Sequence, residues 1–247
     1  MSNNCSAQLN RWFQTSSLGR RLLSEEAAAL QQILPHLFGY HLLQIGNIGH
    51  GCLLESSLIR HRCVSSSSRT ANTINTICDP YSGVYALPDA LPFATDCIDV
   101  VVLPHLLEFE KNPEDILREV ERILIPEGHV VILGFNPMSV WGVWRWLFAR
   151  RDSAPWCGQF LPLSRIKSYL APLGFDLEKQ QIFFFALPFF NKRFKNVLES
   201  LPWAGHFGAV YLLVAKKRVA TLTPIKSKWL AQPTLVTDVV GTPIKEN

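Results

Sequence analysis

The most restrictive feature of this sequence is a strand, a helix and a second strand, joined by short connections between residues 97 and 135. The run CIDVVVLP is continuously apolar until Pro104, which predicts a buried strand. In NPEDILREVERIL the apolar side chains recur at helical spacing, and HVVILGF follows the turn PEG as the next strand. A strand–helix–strand unit with short joints predicts parallel strands and a crossover helix, and therefore an α/β fold.

Residue chemistry marks the start of the central helix. Asn112 is predicted to cap it and Pro113 to occupy its first position, where the missing N–H costs no hydrogen bond. Glu114 and Asp115 would then face the positive end of the helix dipole. These four residues predict a helix that begins at residue 113.

Further elements are predicted on both sides of this unit. Residues 18–33 are predicted to form a helix, and Ser24 with Glu25 and Glu26 suits its start or a restart. The remaining predictions are a strand in YHLLQIG, a helix over residues 52–60, a strand in HRCVS, a helix in SRIKSYL, a strand over 175–185 and a last strand over 208–218.

Composition limits the function classes. Of 247 residues, 48% are hydrophobic and 18% charged, which is typical of a globular protein with a substantial core. The net charge of +4 is too small to indicate nucleic-acid binding. The six scattered cysteines include no Cys-x-x-Cys pair, which disfavours a zinc knuckle or a disulfide framework and suits a reducing cytosol. Without a signal-peptide pattern or a run of about 18 apolar residues, we expect a soluble, cytoplasmic protein without a metal site.

The pattern of elements divides the chain into three parts. Residues 1–34 are predicted to be an N-terminal helical segment and residues 35–218 the main domain. Residues 219–247 mix prolines, lysines and threonines without periodicity, so we expect a flexible tail of unknown role.

A glycine cluster follows the first predicted strand in QIGNIGHG, residues 44–51. Glycines at such a position let main-chain N–H groups approach a ligand closely at the mouth of a parallel sheet, although a plain turn has the same composition. The spacing Gly-x-x-Gly-x-Gly differs from the dinucleotide fingerprint, and no Lys-Ser/Thr of a phosphate-binding loop follows. The cluster alone therefore does not identify a ligand.

The segment ALPFATDCIDVVVLPHLLEF, with NPEDILREVERILIPEGHVVILGFNP after it, resembles the central block of class I S-adenosylmethionine-dependent methyltransferases, most closely the type 11 domain family. The motifs that carry the resemblance are Leu-Pro-Phe at 91–93, Pro-His-Leu-Leu-Glu-Phe at 104–109, Leu-Arg-Glu at 117–119 and Pro-Glu-Gly at 126–128. The resemblance spans residues 35–218 and is strongest over 86–137. It implies a Rossmann-like fold with a mostly parallel seven-stranded sheet and an antiparallel last strand.

The same resemblance implies S-adenosylmethionine as cofactor and assigns its contacts. The glycine loop would line the amino-acid and ribose moieties, the end of the fourth strand would lie beside the methionine portion, and two residues before Pro92 would lie near the adenine. The cofactor-binding residues that it implies are Gly46, Asn47, Gly49, Gly51, Ala90, Leu91, Leu103, Pro104 and His105. His105 is the best candidate for a polar group near the methyl, and no catalytic residue is assigned.

Two acids of the family pattern are missing. The family places a carboxylate at the end of the second strand, where it accepts two hydrogen bonds from the ribose diol, but this chain has Ser65 to Ser68 there. The acid expected near the adenine amino group is replaced by Leu87, with Asp89 out of register. Each lost charge-assisted contact is worth on the order of 1.5 to 3 kcal/mol, so cofactor affinity depends on what replaces it.

Acceptor contacts are expected after the fourth and fifth strands. The resemblance suggests Glu108, Asn136 and Trp141 as substrate residues, although an acid such as Glu108 also suits a helix dipole. FNPMSVWGVWRWLFARRD is apolar around most of a helix, with arginines at its edge. Residues 138–151 therefore suggest a cover over an apolar acceptor, a peripheral membrane contact or a packed core helix.

The sequence therefore predicts a methyltransferase that acts on a small, apolar or aromatic acceptor, whose identity and the oligomeric state stay open. The alternative is a non-catalytic binding or scaffold protein of the same fold that has lost its cofactor acids. An NAD-dependent oxidoreductase shares the sheet but requires a different glycine spacing.

Overall fold

A single sheet of seven strands organises the chain in the computed structural model, which describes residues 2–46, 48, 53–67, 82–139, 141–142, 145, 156–184 and 208–218. The strands are β1 (His41–Ile45), β2 (His61–Ser66), β3 (Ser82–Tyr85), β4 (Ile98–Pro104), β5 (Leu124–Phe135), β6 (Phe175–Phe183) and β7 (Val210–Lys217). Their order across the sheet is β3–β2–β1–β4–β5–β7–β6.

Strands β1 to β5 run parallel, and β7 pairs antiparallel with both β5 and β6. The predicted fold, a Rossmann-like, mostly parallel seven-stranded sheet with an antiparallel last strand, is confirmed. The long apolar runs of β4 and β5 explain why these strands lie in the middle, because both of their faces are covered by other elements.

Four α-helices pack on the sheet within the described residues. They are α1 (Ser2–Thr15), α2 (Ser17–Gln31), α3 (Pro113–Ile123) and α4 (Leu163–Leu170). Short 3-10 turns follow at Leu34–His36 and Ala171–Leu173.

The two faces of the sheet have separate cores. On one face, buried residues of α1 and α2 such as Phe13 and Leu30 pack with Val102 and Leu133. On the other face, α3 and α4 pack against the alternate residues of the same strands. The apolar stripe of the predicted central helix is confirmed, since its buried residues are Ile116, Leu117, Val120 and Ile123.

Local structure differs from the sequence predictions at three places. Helix α2 is capped by Ser16, whose side chain accepts from the Gly19 N–H, and it runs through Ser24 without a restart. The Ser24 hydroxyl donates to the carbonyl of Arg21 instead of capping a new helix. Residues 53–60 form a short 3-10 turn followed by a turn and irregular chain instead of an α-helix. Pro113 begins α3 as predicted, but the Asn112 side chain makes no capping hydrogen bond.

A disulfide joins Cys5 of α1 to Cys157, with their Cα atoms 6.1 Å apart. Their separation of 152 positions in the sequence explains why sequence spacing did not predict this pair. Cys63 and Cys97 carry free thiols, and Cys52 and Cys78 lie outside the described residues.

Two predicted segments fall wholly or mostly outside the described residues. The tail over 219–247 is one, and most of residues 138–151, proposed as a membrane contact, is the other. Among the helices that the structure describes, none is both long and apolar enough to cross a bilayer.

Candidate active site

The carboxyl ends of β1 and β4 meet at the point where the chain order of the sheet reverses. From β1 the chain continues to β2 and β3 on one side, and β4 then pairs with β1 on the other. In open parallel sheets a ligand binds in the crevice beyond such a switch point, because the loops leaving the two strands turn away from each other.

Gly46 lies at this crevice, directly after β1. Its φ of +97° is in a region that side-chain-bearing residues rarely adopt, which explains the glycine. Its N–H donates to the Ser65 carbonyl over 2.8 Å, which fixes the start of the loop to the end of β2. A side chain at this position would lie 3.7 Å from Leu106 Cδ1 and 4.0 Å from the Pro104 carbonyl. The structure thus brings together the first glycine and the motif after β4.

The remainder of the glycine loop, Asn47, Gly49 and Gly51, lies outside the described residues. Its base is held by Gln44, whose Nε2 donates to the carbonyls of Gly46 at 2.8 Å and Ile48 at 3.0 Å. These two bonds orient the loop's first turn from within β1.

Two buried polar atoms beside Gly46 have no hydrogen-bond partner within the part of the chain that the structure describes. They are Oε1 of Gln44 and Oγ of Ser65, in neighbouring strands. An unpaired buried polar atom costs about 1 to 3 kcal/mol, and a polar group bound within hydrogen-bond distance would recover that cost. A hydroxyl and an amide oxygen suit ribose hydroxyls, and they fit S-adenosylmethionine with neutral contacts in place of the missing carboxylate.

Between β4 and α2, His105 connects two buried carboxylates. Its Nε2 lies 2.6 Å from Oε1 of Glu26, and its Nδ1 lies 3.2 Å from Oε2 of Glu108. All three side chains are at most 1% exposed. His105 has a φ of +47°, and its N–H donates to the Leu133 carbonyl.

Charge stabilises the protonated form of this histidine. Burial of the ring opposes protonation, but the carboxylates of Glu26 and Glu108 outweigh burial and raise the pKa of His105 to about 10. Burial also raises the pKa of Glu108, because the carboxylate loses its hydration. The shorter contact makes Glu26 the main counter-ion of the imidazolium.

Aromatic rings enclose the His105 ring. The ring of Phe135 at the end of β5 lies 4.1 Å from it between centroids, and Phe13 of α1 lies at 5.9 Å. The second carboxylate oxygen of Glu108 accepts a hydrogen bond from the Phe135 main-chain N–H. The cluster is therefore tied at once to β4, β5, α1 and α2.

The residues predicted near the adenine lie at the turn before β4. Leu87 and Ala90 form an isolated antiparallel bridge, and the Leu91 N–H donates to Glu119 Oε1 over 2.8 Å. Leu87, which stands where the family has an acid, is 57% exposed. Leu103 is buried within the sheet core of the α3 side.

The residues predicted to contact the acceptor are buried. Trp141 is 1% exposed and packs edge-on or tilted against Trp12, Trp156 and Phe184. Asn136 donates from Nδ2 to the Gly208 carbonyl and accepts from the Met138 N–H. Within the described structure, Asn136 and Trp141 are therefore buried just after the end of β5.

A cavity of about 320 Å³ opens next to Glu108. The residues that line it are Cys5, Glu108, Phe109, Glu110, Lys111, Cys157 and Gln159. The disulfide thus forms part of its wall, and α1 reaches the same edge of the sheet as the motif after β4.

Sequence reasoning missed Glu26. In the sequence Glu26 resembles an ordinary helical acid beside Glu25. Only the fold brings its carboxyl group to His105, which lies 79 positions later in the chain. One signal was available, because Leu22, Glu26, Ala29 and Ile33 share a helix face and Glu26 interrupts an otherwise apolar stripe.

Known proteins are similar to this chain both in sequence and in fold. The sequence model of a family described as "Methyltransferase domain" matches residues 67–132. The chain is 33% identical over 193 residues to the uncharacterized protein YafS of Escherichia coli (strain K12), which covers 77% of this chain and 74% of that protein.

Solved structures share the fold. A SAM-dependent methyltransferase from Thermotoga maritima, described as a possible histamine N-methyltransferase, has a TM-score of 0.62 and 18% identity, covering 84% of this chain and 93% of that one. A SAM-dependent methyltransferase from Archaeoglobus fulgidus has a TM-score of 0.57 and 18% identity, covering 78% and 94%. With this relative, this family match and this shared fold, the chain belongs to one family with YafS, carries the methyltransferase domain over residues 67–132 and has the fold of S-adenosylmethionine-dependent methyltransferases.

Proposed function

We propose that the chain transfers a methyl group from S-adenosylmethionine to a small, apolar or aromatic acceptor. The observation that carries the proposal is Gly46, held in a left-handed conformation at the switch point of the sheet and facing Pro104. The unpaired oxygens of Gln44 and Ser65, in the two strands whose ends meet Gly46, support a polar ligand there.

The cofactor would lie across the ends of β1 and β4. The glycine loop would contact its amino-acid and ribose parts, the turn before β4 would hold the adenine, and the end of β4 would flank the methionine. The proposed residues are Gly46, Asn47, Gly49, Gly51, Ala90, Leu91, Leu103, Pro104 and His105. When bound, S-adenosylmethionine supplies an electrophilic methyl group, and the chain's own task is to orient the acceptor and exclude water.

The acceptor would enter from the side of β5, α1 and α2. Phe135, Phe13 and Trp141 form an aromatic core on this side, and an acceptor that packs against this core would have the same apolar character. Glu108 and Asn136 are the proposed polar contacts, and both are already oriented by main-chain partners.

A specific observation supports the alternative of a non-catalytic binding protein. A serine hydroxyl stands where a carboxylate would accept both ribose hydroxyls, and Leu87 is exposed where the second acid would lie. Such a protein would retain the fold and bind S-adenosylmethionine weakly or not at all.

Calorimetric titration of the full chain with S-adenosylmethionine, and with its demethylated product, tests the proposal. We expect saturable binding of both. Absence of binding at millimolar ligand would overturn the proposal and favour the binding protein.

The variant Gly46→Ala locates the site. Alanine at a φ of +97° costs about 1 to 2 kcal/mol and shifts the loop, so we expect lower stability and at least roughly fivefold weaker cofactor binding. Gly174→Ala is the matched control, because Gly174 also has a positive φ, of +75°, but lies before β6. It should lose similar stability with unchanged affinity; equal affinity losses in both variants would contradict the assigned site.

A further inference from the structure

We propose that Glu26 of α2 is a positioning residue of the active site, which with Glu108 fixes His105 at the end of β4 as a donor through both ring nitrogens. The proposal rests on the proposed function for its catalytic meaning. It makes the N-terminal helices part of the site.

Each ring nitrogen of His105 faces a carboxyl oxygen. Nε2 faces a Glu26 oxygen at 2.6 Å, and Nδ1 faces a Glu108 oxygen at 3.2 Å. An ionised carboxylate only accepts, so with Glu26 and Glu108 both ionised the ring satisfies both contacts only when both of its nitrogens carry hydrogen. A ring in this state has no lone pair with which to take a proton, so His105 is not the general base of a methyl transfer.

The charged groups that face the ring come from separate elements. Glu26 lies on α2 and Glu108 follows β4, while Phe13 of α1 and Phe135 of β5 are apolar. Tyr211 of β7 lies near enough to the Glu108 carboxylate for that charge, after burial, to raise the pKa of the phenol. The charged groups that contact the ring are therefore Glu26 and Glu108.

The backbone of His105 and the second oxygen of Glu26 set the group of His105, Glu26 and Glu108 apart from an ordinary structural ion pair. Buried pairs contribute little net stability, and apolar residues of similar volume often replace them without loss. His105 also holds a left-handed backbone, at a cost of about 1 kcal/mol or more, and such strain is concentrated at functional sites. Moreover, Oε2 of Glu26 is buried without a partner in the described structure. This oxygen could accept a hydrogen bond from an N–H or O–H group of a ligand.

The first test observes the ring directly. In the full chain labelled with ¹⁵N-histidine, NMR resolves the seven histidines, and His105 is assigned through its backbone. We expect His105 to show two protonated nitrogens up to at least pH 9. In Glu26→Gln, a near-isosteric change, its titration should move down by one pH unit or more, whereas Glu25→Gln, its neighbour on α2, should leave it unchanged.

Either of two results would overturn the positioning role at this stage. One is a wild-type His105 that titrates near pH 6.5 with a single protonated nitrogen. The other is an unchanged titration in Glu26→Gln.

The second test distinguishes positioning from stability. At pH 8 we expect Glu26→Gln to bind S-adenosylmethionine roughly tenfold more weakly than wild type, the equivalent of losing one charge-assisted contact, with Glu25→Gln as the control. A shifted titration with unchanged affinity would assign Glu26 a structural role only and overturn the proposal. A wild-type chain that does not bind S-adenosylmethionine would instead overturn the proposed function, while the titration would still decide whether Glu26 fixes His105.

Discussion

Ser65 is the residue at which the proposed cofactor site departs most from its family. Its hydroxyl is buried at the end of β2 and unpaired among the described residues. If this hydroxyl meets a ribose, Ser65→Ala removes a binding contact but also removes an unsatisfied polar atom. We therefore expect the free energy of unfolding to stay equal or rise by up to about 1 kcal/mol, while S-adenosylmethionine binds about threefold to tenfold more weakly. Urea unfolding and calorimetry measure the two effects.

Ser57→Ala is the matched control for this prediction. Ser57 is also buried, but its hydroxyl oxygen accepts from the Ile59 N–H. Its loss should lower stability by about 1 kcal/mol and leave cofactor affinity unchanged. If Ser65→Ala instead binds the cofactor as tightly as wild type, the hydroxyl does not serve the ribose.

At the residue scale, the site residues that belong to a local sequence motif were predictable from the sequence. Gly46 and Pro104 belong to motifs with fixed neighbours, and the structure brings them together as the topology requires. Glu26 belongs to no motif, because its role depends on a contact between residues far apart in the chain. The protonation state of His105 could not be predicted for the same reason, because it depends on the contact with Glu26.

At the scale of elements, the disulfide ties α1 to the segment before α4. A cross-link that closes a loop of this length restricts the unfolded chain, and the loop-entropy relation gives about 5 kcal/mol of stabilisation. We expect Cys157→Ser, or reduction with a dithiol, to lower the free energy of unfolding by this order. Intact-mass analysis after alkylation without reductant should leave Cys5 and Cys157 unmodified.

Cys97→Ser provides the comparison. Cys97 is a free thiol that donates to the Ala94 carbonyl, and a serine hydroxyl keeps that bond. We expect little change in stability. Alkylation of Cys5 in the folded, unreduced protein would contradict the cross-link.

Elements with strong periodicity were predictable, and elements defined by tertiary contacts were not. The segment over 98–135 was predicted because an apolar run, a helical stripe and a turn agree with one another. Residues 52–60 were predicted as a helix from a few apolar positions, but the described part, residues 53–60, turns and extends toward β2. In so short a segment, packing of Leu53, Leu54 and Ile59 into the core outweighs helical propensity.

At the scale of the whole molecule, the two faces of the sheet respond differently to pH. The face under α1 and α2 encloses His105, whereas the core of the other face contains the thiols of Cys63 and Cys97 and the phenol of Tyr211. A histidine whose pKa rises from 6.5 to about 10 on folding stabilises the native state fully below pH 6.5. That contribution is lost as pH rises toward 10, because the folded state then holds a proton that the unfolded chain has released.

We therefore expect the unfolding free energy of the wild type to fall between pH 6.5 and 10, by at most about 1.4 kcal/mol per pH unit from this group. Burial also raises the pKa of Cys63 and of Cys97, and these thiols add to the decline above pH 9. The difference in unfolding free energy between the wild type and Glu26→Gln is free of the thiol contribution, because both proteins contain Cys63 and Cys97. Without the carboxylate, His105 should release its proton at lower pH, so the stability advantage of the wild type should shrink steadily from about pH 7.5 upward. Urea unfolding at four pH values between 6.5 and 9.5 measures this difference, and parallel curves for the two proteins would show that Glu26 does not hold the proton on His105.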